Sequence, residues 1–297
     1  MKYLRQIMLL VFILCLIFFS CTKEPEISKD AAAGKNFTES ADGVPIHFKV
    51  QGEGDVSLVF VHGWCTDKSY WDAQIPSFKV YYRVVTLDLA GHGESGKERK
   101  NWTVNAFAGD VAAVVEKLDL YNVVLVGHDI AGPVILAAAR LIPQRVIGLL
   151  GADTFSDIYM ESYKKEKIDA LLRMFKPDFS DGIRKYVLEN YFRSTATEDF
   201  KKKVILDMAA ASPEMALSAL EDILKFDGAE ILKEIDIPIR SLNSELPVVP
   251  FKVIRGNTED FKLRFIPNTG HFLMIEDPQL FNRYFAEFLK EIILESY

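Results

Sequence analysis

A carboxylate stands where the chain must turn most sharply. Residues 122–139 read NVVLVGHDIAGPVILAAA. Val123 to Val126 form a β-branched and leucine run suited to a strand of a parallel sheet buried on both faces. Pro133 and the alanine-rich apolar sequence after it read as a buried helix with proline in its first turn. Between them, Gly127-His128-Asp129-Ile130-Ala131-Gly132 places small residues on both sides of Asp129. A strand that turns straight into a helix needs them, because the central residue is strained and the backbones pack closely. The spacing predicts Asp129 at the tip, projecting from the top of the sheet, with N–H groups of the helix start available to an anion. A carboxylate so placed has no hydroxyl to acylate. Its covalent chemistry is attack on an sp3 carbon, displacing halide or opening an epoxide and leaving an alkyl ester on Asp129. Attack on an ordinary ester would give an anhydride, a poor intermediate.

The stretch resembles the nucleophile elbow of the α/β-hydrolase superfamily, whose members mostly carry Ser at the tip. An Asp tip resembles the haloalkane dehalogenases, epoxide hydrolases and haloacid dehalogenases of that superfamily, with Ala131 relaxing the glycine pattern by one methyl. The resemblance implies partners for Asp129. Gly270-His271-Phe272, after the last strand, matches the family's catalytic histidine. Asp153 lies 24 residues beyond Asp129, at the end of RVIGLLG, where some haloalkane and fluoroacetate dehalogenases carry the acid. It is the first choice, and Glu245, offset from the more usual acid position after IPIRSL, is the alternative. In His62-Gly63-Trp64 the backbone N–H of Trp64 is implied as one oxyanion donor and that of Ile130 as the other. The indole of Trp64 either donates to a leaving halide or only walls the pocket. His62, Asp88, His92 and His128 stand in motifs that the family uses structurally. The chain order nucleophile, acid, histidine is that of this fold. The implied reaction is an alkyl ester at Asp129, hydrolysed by water that His271 deprotonates while Asp153 orients the imidazole.

No subgroup fits throughout. Cys65 stands where epoxide hydrolases have Pro, and Ile130 stands where fluoroacetate dehalogenases carry Arg and haloalkane dehalogenases Trp. Three alternatives remain: an esterase or lactonase relative in which Asp129 acts as a base on water, a degenerate Ser hydrolase in which it is a remnant, and a non-catalytic, lipid-anchored binding module.

These groups need a scaffold, and the 297 residues suffice for one large α/β domain with an insertion. The expected fold is α/β-hydrolase: a mostly parallel eight-stranded sheet flanked by helices, with a helical cap inserted after the sixth strand. Strands are expected at Val44 to Val50, Val56 to Val61, Tyr82 to Leu87, Val123 to Val126, Arg145 to Gly151, Ile237 to Leu242 and Phe261 to Ile266. Residues 37–154 and 228–297 form the core, and 155–227 form the cap. The cap holds Tyr159, Tyr163, Tyr186 and Tyr191, among which the sequence does not pick the pair that in epoxide hydrolases donates to the ring oxygen.

Hydrophobic content of 49%, charge of 26% and a net charge of −7, without a basic patch, make nucleic acid an unlikely partner. The expected substrate is a small apolar organic molecule, with no cofactor or metal. At the N-terminus, Lys2 and Arg5 precede an unbroken apolar run, Ile7 to Phe19, of thirteen residues, right for a signal peptide and short for a membrane span. The Phe18-Phe19-Ser20-Cys21 junction resembles a bacterial lipoprotein signal. Residues 1–20 are then a signal peptide, Cys21 the lipidated N-terminus, and 21–36 a flexible tether. That implies a cell-envelope protein held to a membrane by its lipid. Cys15 would leave with the signal and only Cys65 would remain as a thiol, so no intrachain disulfide is expected.

Overall fold

The computed structural model describes residues 36–155, 164–246 and 260–296. The signal peptide, Cys21 and nearly all of the tether lie outside the described residues, as do Tyr159 and Tyr163. Eight strands form one sheet: β1 (Phe37–Glu39), β2 (Pro45–Gln51), β3 (Ser57–Val61), β4 (Arg83–Leu87), β5 (Val123–His128), β6 (Val146–Ala152), β7 (Ile239–Ser244) and β8 (Phe261–Ile266). Their order is β1-β2-β4-β3-β5-β6-β7-β8. β2 runs antiparallel to β1 and β4, and every other pairing is parallel. The apolar runs behave as their composition requires: β3 and β5 are buried along their whole length.

Register decides what emerges at the top of the sheet. One row runs from Val61 through Gly127 and Gly151 to Ser241. β3, β5, β6 and β7 therefore finish near the same level, and the loops after them share one edge. β7 starts two residues later than the sequence suggested. Pro238 has no N–H to give the ladder, although its carbonyl accepts from Leu149. At its other end the strand runs on through Asn243 and Ser244, which pair with Phe265 and Ile266 of β8 and are both buried.

In the core, α1 (Ile75–Phe78), α2 (Val104–Lys117) and α3 (Ala131–Leu141) precede the insertion, and α2 packs on α3. Between β6 and β7 the cap supplies α4 (Lys165–Phe175), α5 (Phe179–Asn190), α6 (Glu198–Ala209) and α7 (Pro213–Lys225). Asp178, Thr197 and Ser212 cap the last three, each accepting an N–H of the first turn. α8 (Ala229–Glu234), α9 (Leu273–Glu276) and α10 (Pro278–Glu295) follow. α10 lies on β6 and β7 and buries Phe281, Phe285, Phe288, Leu289 and Ile292.

Candidate active site

Asp129 sits between β5 and α3 with φ of +54°, the left-handed conformation that a sharp strand–helix turn imposes and that costs a residue other than glycine. Gly63 must come close to let this happen. A Cβ there would lie 2.6 Å from Nδ1 of His128 and 3.0 Å from Cβ of Asp129. The turn is held from below: the Asp129 N–H donates to Ala152 at 3.2 Å, and its carbonyl accepts from Gly132 at 3.1 Å and from the hydroxyl of Thr154.

The N–H of Trp64 donates to Oδ2 of Asp129 at 2.9 Å, and the N–H of Ile130 also bears on the carboxylate. One implied oxyanion donor, Trp64, thus holds an oxygen of Asp129 itself, and the other, Ile130, acts on the same carboxylate. Burial pushes the Asp129 carboxyl above the ordinary Asp value; His271 and the two N–H groups pull the other way, and nearby Asp153 adds to the rise. The helix start does not overcome desolvation here.

His271 faces this carboxylate, its Nε2 3.7 Å from Oδ1 of Asp129, longer than a hydrogen bond. Its Nδ1 lies 2.7 Å from Oδ2 of Asp153. A carboxylate accepts, so Nδ1 carries the proton and the Nε2 lone pair points toward Asp129. Asp153 is 5% exposed and, like Asp129, has a positive φ. Its other oxygen, Oδ1, accepts from the N–H of Ser244 at 2.8 Å and from the Ser244 hydroxyl at 2.9 Å. The end of β7, the more usual home of the acid, here supplies donors to an acid on β6. Glu245, the alternative, is not brought to the imidazole: its side chain is half exposed and lies 3.6 Å from Nη2 of Arg193.

The remaining histidines have structural tasks. Nε2 of His62 accepts the N–H of Leu89, and Nδ1 donates to the carbonyl of Gly63, which ties the Trp64 loop to the loop after β4. Nε2 of His128 lies 3.0 Å from the carbonyl of His271 and must donate to it. Burial holds His128 well below the usual histidine range, in keeping with a neutral ring. Burial also takes His92 down to about 3. Asp88 accepts from Lys68, whose Nζ lies 2.5 Å from Asp88 and 2.6 Å from Glu94. His47, Asp88 and Glu94 are close enough to ligate a metal, but the Lys68 ammonium already bridges the two carboxylates.

Of the two alternatives for the Trp64 ring, it lines the cavity, while its indole N–H donates to the carbonyl of Ala216 on α7 at 2.9 Å rather than standing free for a halide. Trp64 therefore serves Asp129 with its backbone and holds the cap with its ring.

Above Asp129 is a cavity of about 300 Å³. Ile168 and Leu171 of α4, Leu220 and Ile223 of α7, and Trp64 and Ile130 give it an apolar wall. The two cap tyrosines among the described residues, Tyr186 and Tyr191, line it, and Lys167 is the single cation among its described lining residues. The Tyr191 ring lies over the imidazole of His271, centroids 4.1 Å apart. A larger, more polar cleft of about 690 Å³ is bordered by His92, Arg99 and Met215 but includes neither Asp129 nor His271. Sequence reasoning missed Ser244 and Thr154. The polar end of IPIRSLNS, beyond the expected end of that strand, was the only signal for Ser244, and Thr154 had only its place next to Asp153.

An alpha/beta hydrolase family model matches residues 58–284. Among curated relatives, a karrikin insensitive 2 receptor of Petunia hybrida is 25% identical over 79% of this chain and 90% of its own length. A dihydrolipoyllysine-residue acetyltransferase component of the acetoin cleaving system of Pseudomonas putida is 26% identical over 82% of this chain, which spans 66% of that longer protein. Of solved structures, an N-acyl homoserine lactone degrading enzyme is 26% identical, with a TM-score of 0.73 over 85% of this chain and 99% of that one. An esterase from Exiguobacterium antarcticum aligns with a TM-score of 0.78 at 20% identity, over 86% and 99%, a likeness of fold.

Proposed function

Because the chain belongs to the alpha/beta hydrolase family and carries a carboxylate at the elbow, we propose that it hydrolyses a small apolar epoxide or alkyl halide through an ester on Asp129. One observation carries this reading: the Trp64 N–H is already spent on Oδ2 of Asp129. In a hydrolase acting directly on an ester, that donor must await the substrate's carbonyl oxygen. Here it awaits the carbonyl oxygen of an ester formed at Asp129, and Oδ1 is left toward His271 and the cavity.

The steps balance as follows. Oδ1 attacks an sp3 carbon, and the carbon–oxygen bond of an epoxide, or the carbon–halogen bond, breaks with its electron pair. An opened epoxide oxygen takes a proton from a donor in the cavity. Water then loses a proton to Nε2 of His271 and attacks Cγ of Asp129. The oxyanion forms on Oδ2 between the N–H groups of Trp64 and Ile130, each such donor being worth about 3 kcal/mol. Collapse expels the alcohol oxygen, which takes the proton back from His271; the second proton of the water, left on the Asp129 carboxyl, returns to the cavity donor after epoxide opening or leaves with the halide, and Asp129 ends as it began. Tyr186 and Tyr191 favour an epoxide within this class, since their hydroxyls suit the opening oxygen. The Trp64 indole, held by Ala216, is not available to a halide.

A second reading, ester or lactone hydrolysis with Asp129 as base on water, is favoured by the esterase and lactone-degrading names among the similar proteins. Intact-mass measurement of a His271→Ala variant exposed to epoxides, alkyl halides, esters and lactones separates the two. The first reading expects stoichiometric mass gain on Asp129 from an epoxide or halide. No adduct, with esters or lactones still hydrolysed by the unaltered protein, would overturn it. For location we propose, from the sequence alone, lipid anchoring at Cys21. Cys21→Ser should then move the protein from the membrane fraction to the soluble one.

A further inference from the structure

The backbone around His271 is held more tightly than an oriented imidazole requires, and one of the groups that holds it is a carboxylate so far without a role. The His271 N–H donates to the carbonyl of Tyr191 at 2.8 Å, and the His271 carbonyl accepts from His128. Before it, the Gly270 N–H donates to Oε2 of Glu276 at 3.0 Å. After it, the Phe272 N–H also bears on the Glu276 carboxylate. Oε1 of Glu276 is buried and has no hydrogen-bond partner among the described residues. Gly270 leaves no slack: a Cβ there would lie 2.3 Å from the Tyr191 carbonyl and 2.9 Å from Oε1 of Glu276.

A buried carboxylate oxygen without a donor is costly. If Glu276 only anchored a loop, an amide or a hydroxyl would accept the same N–H at lower cost. The charge itself is what the site gains. We propose that Glu276 is a positioning residue for His271: it fixes the peptide that carries the imidazole and adds a second negative charge, beside Asp153, to favour the imidazolium formed when Nε2 takes a proton.

Other groups face the same ring. Asp153 comes from the end of β6 and Asp129 from the elbow. His128 of β5 lies with its ring centroid 4.5 Å away, and Tyr191 stacks from the cap. His128 is held neutral by burial, and its approach disfavours a second positive ring. Asp153, at Nδ1, and Glu276, bonded to the Gly270 N–H, are thus the negative charges that act on His271 besides Asp129. Glu276 is itself pushed upward by burial and drawn back by the two N–H groups and by His271. The rate effect rests on the proposed reaction, in which His271 takes up a proton; the effect on the imidazole's own titration does not.

The test begins without a substrate. Glu276→Gln keeps an oxygen for the Gly270 N–H and removes the charge; Glu276→Ala removes both. The His271 imidazole is titrated by NMR in the full protein, and the Glu276→Gln midpoint is expected to fall by roughly half a pH unit or more, as loss of a nearby opposite charge requires. With any substrate the protein turns over, Glu276→Gln should lower kcat by about three- to tenfold with KM unchanged, that is, about 1 kcal/mol in the barrier. Glu276→Ala should lower it further. An unchanged midpoint in a folded Glu276→Gln protein would overturn the electrostatic half of the proposal. Unchanged kcat in Glu276→Ala would overturn the positioning half. Absence of turnover on epoxides and halides would bear on the proposed reaction alone, because the titration needs neither.

Discussion

The two walls of the cavity are built on different terms. On the core side every reacting group is fixed by its neighbours: Asp129 by Trp64 and Thr154, Asp153 by both donors of Ser244, and His271 by Asp153 and His128. On the cap side the residues over Asp129 are mostly aliphatic, and their packing is nondirectional. Among the bonds that join core to cap, two run from residues of the site to cap carbonyls, Trp64 to Ala216 and His271 to Tyr191. The lesson is a division of labour. The sheet edge sets which bond is made and broken, and the cap sets what fits. These two joints each use a residue to which the proposed chemistry gives a role.

If that division holds, core changes should cost rate and cap changes should cost fit. The largest effect should come from the nucleophile. Asp129→Ala should abolish turnover, and Asp129→Ser should not restore it, because an ether at Ser cannot be cleaved by His-activated water. A single turnover in ¹⁸O-water should leave label in the Asp129 carboxylate, read by peptide mass spectrometry. Label that enters the product directly and never reaches Asp129 would make the residue a base or a bystander.

Next come the two acids. Asp153→Asn should lower kcat by about 10³- to 10⁴-fold, since an amide cannot hold the imidazole in the right tautomer, as in the comparable change of a Ser triad. Glu245→Gln should stay within about twofold, because its carboxylate meets Arg193 at the surface. Equal losses from the two would break the assignment that the 2.7 Å contact supports.

The unequal legibility of the two walls in the sequence follows from the same physics. The elbow was readable because a strand, a strained tip and a Pro-started helix leave few choices of residue, and the strands because a sheet buried on both faces demands unbroken apolar runs. Trp64, Asp153 and His271 stood at strand ends, and register brings strand ends to one edge. What stayed hidden depended on contacts distant in the chain. The indole of Trp64 meets a carbonyl 152 positions away, and no local pattern records a bond to a carbonyl. Tyr186 and Tyr191 could not be told from packing tyrosines until the cap was folded. Glu276 is near its partner in the chain, but that partner is the main-chain N–H of Gly270, which no side-chain pattern records.

The tyrosines test the cap's share of the chemistry. Tyr186→Phe and Tyr191→Phe remove hydroxyls and keep the rings. If one of them protonates an opening epoxide, that variant should lose about 10- to 100-fold in kcat on epoxides. An alkyl halide needs no such proton and should be turned over as before. Equal losses on both substrates would place the hydroxyls in the fabric of the cap.

Acidity probes Asp129 itself. Burial raises its folded-state value above that of the unfolded chain, so the folded state favours its protonated form. Its contribution to stability is present at low pH and lost as pH rises through the raised value. Two outcomes follow. Ester formation, measured in single turnovers, should fall away on the acid side at a higher pH than an ordinary Asp would give. Asp129→Asn, neutral at every pH, should melt a few degrees above the unaltered protein at pH 8 and no higher than it at pH 3. A melting difference that grows toward acid would mean that Asp129 is stabilised as an anion.

The smallest expected effect lies at the joint between the walls. Trp64→Phe keeps an aromatic ring and the backbone N–H that serves Asp129, and it deletes the donor to Ala216. The Ala216 carbonyl keeps its bond within α7, so the loss is that of one net hydrogen bond, about 0.5–1.5 kcal/mol, and should lower Tm by a few degrees. The chemistry should hardly notice, because the Oδ2 contact runs through the main chain. The cap should notice: α7, which carries Leu220 and Ile223 over the cavity, loses its tether at Ala216. KM should rise by about two- to fivefold while kcat stays within about twofold. Discrimination between short and long apolar substrates should narrow, since a looser α7 penalises a poor fit less. A large fall in kcat with KM unchanged would show that the indole bond sets the Trp64 N–H on Asp129, and the boundary between the wall that reacts and the wall that selects would then have to be drawn through Trp64 differently.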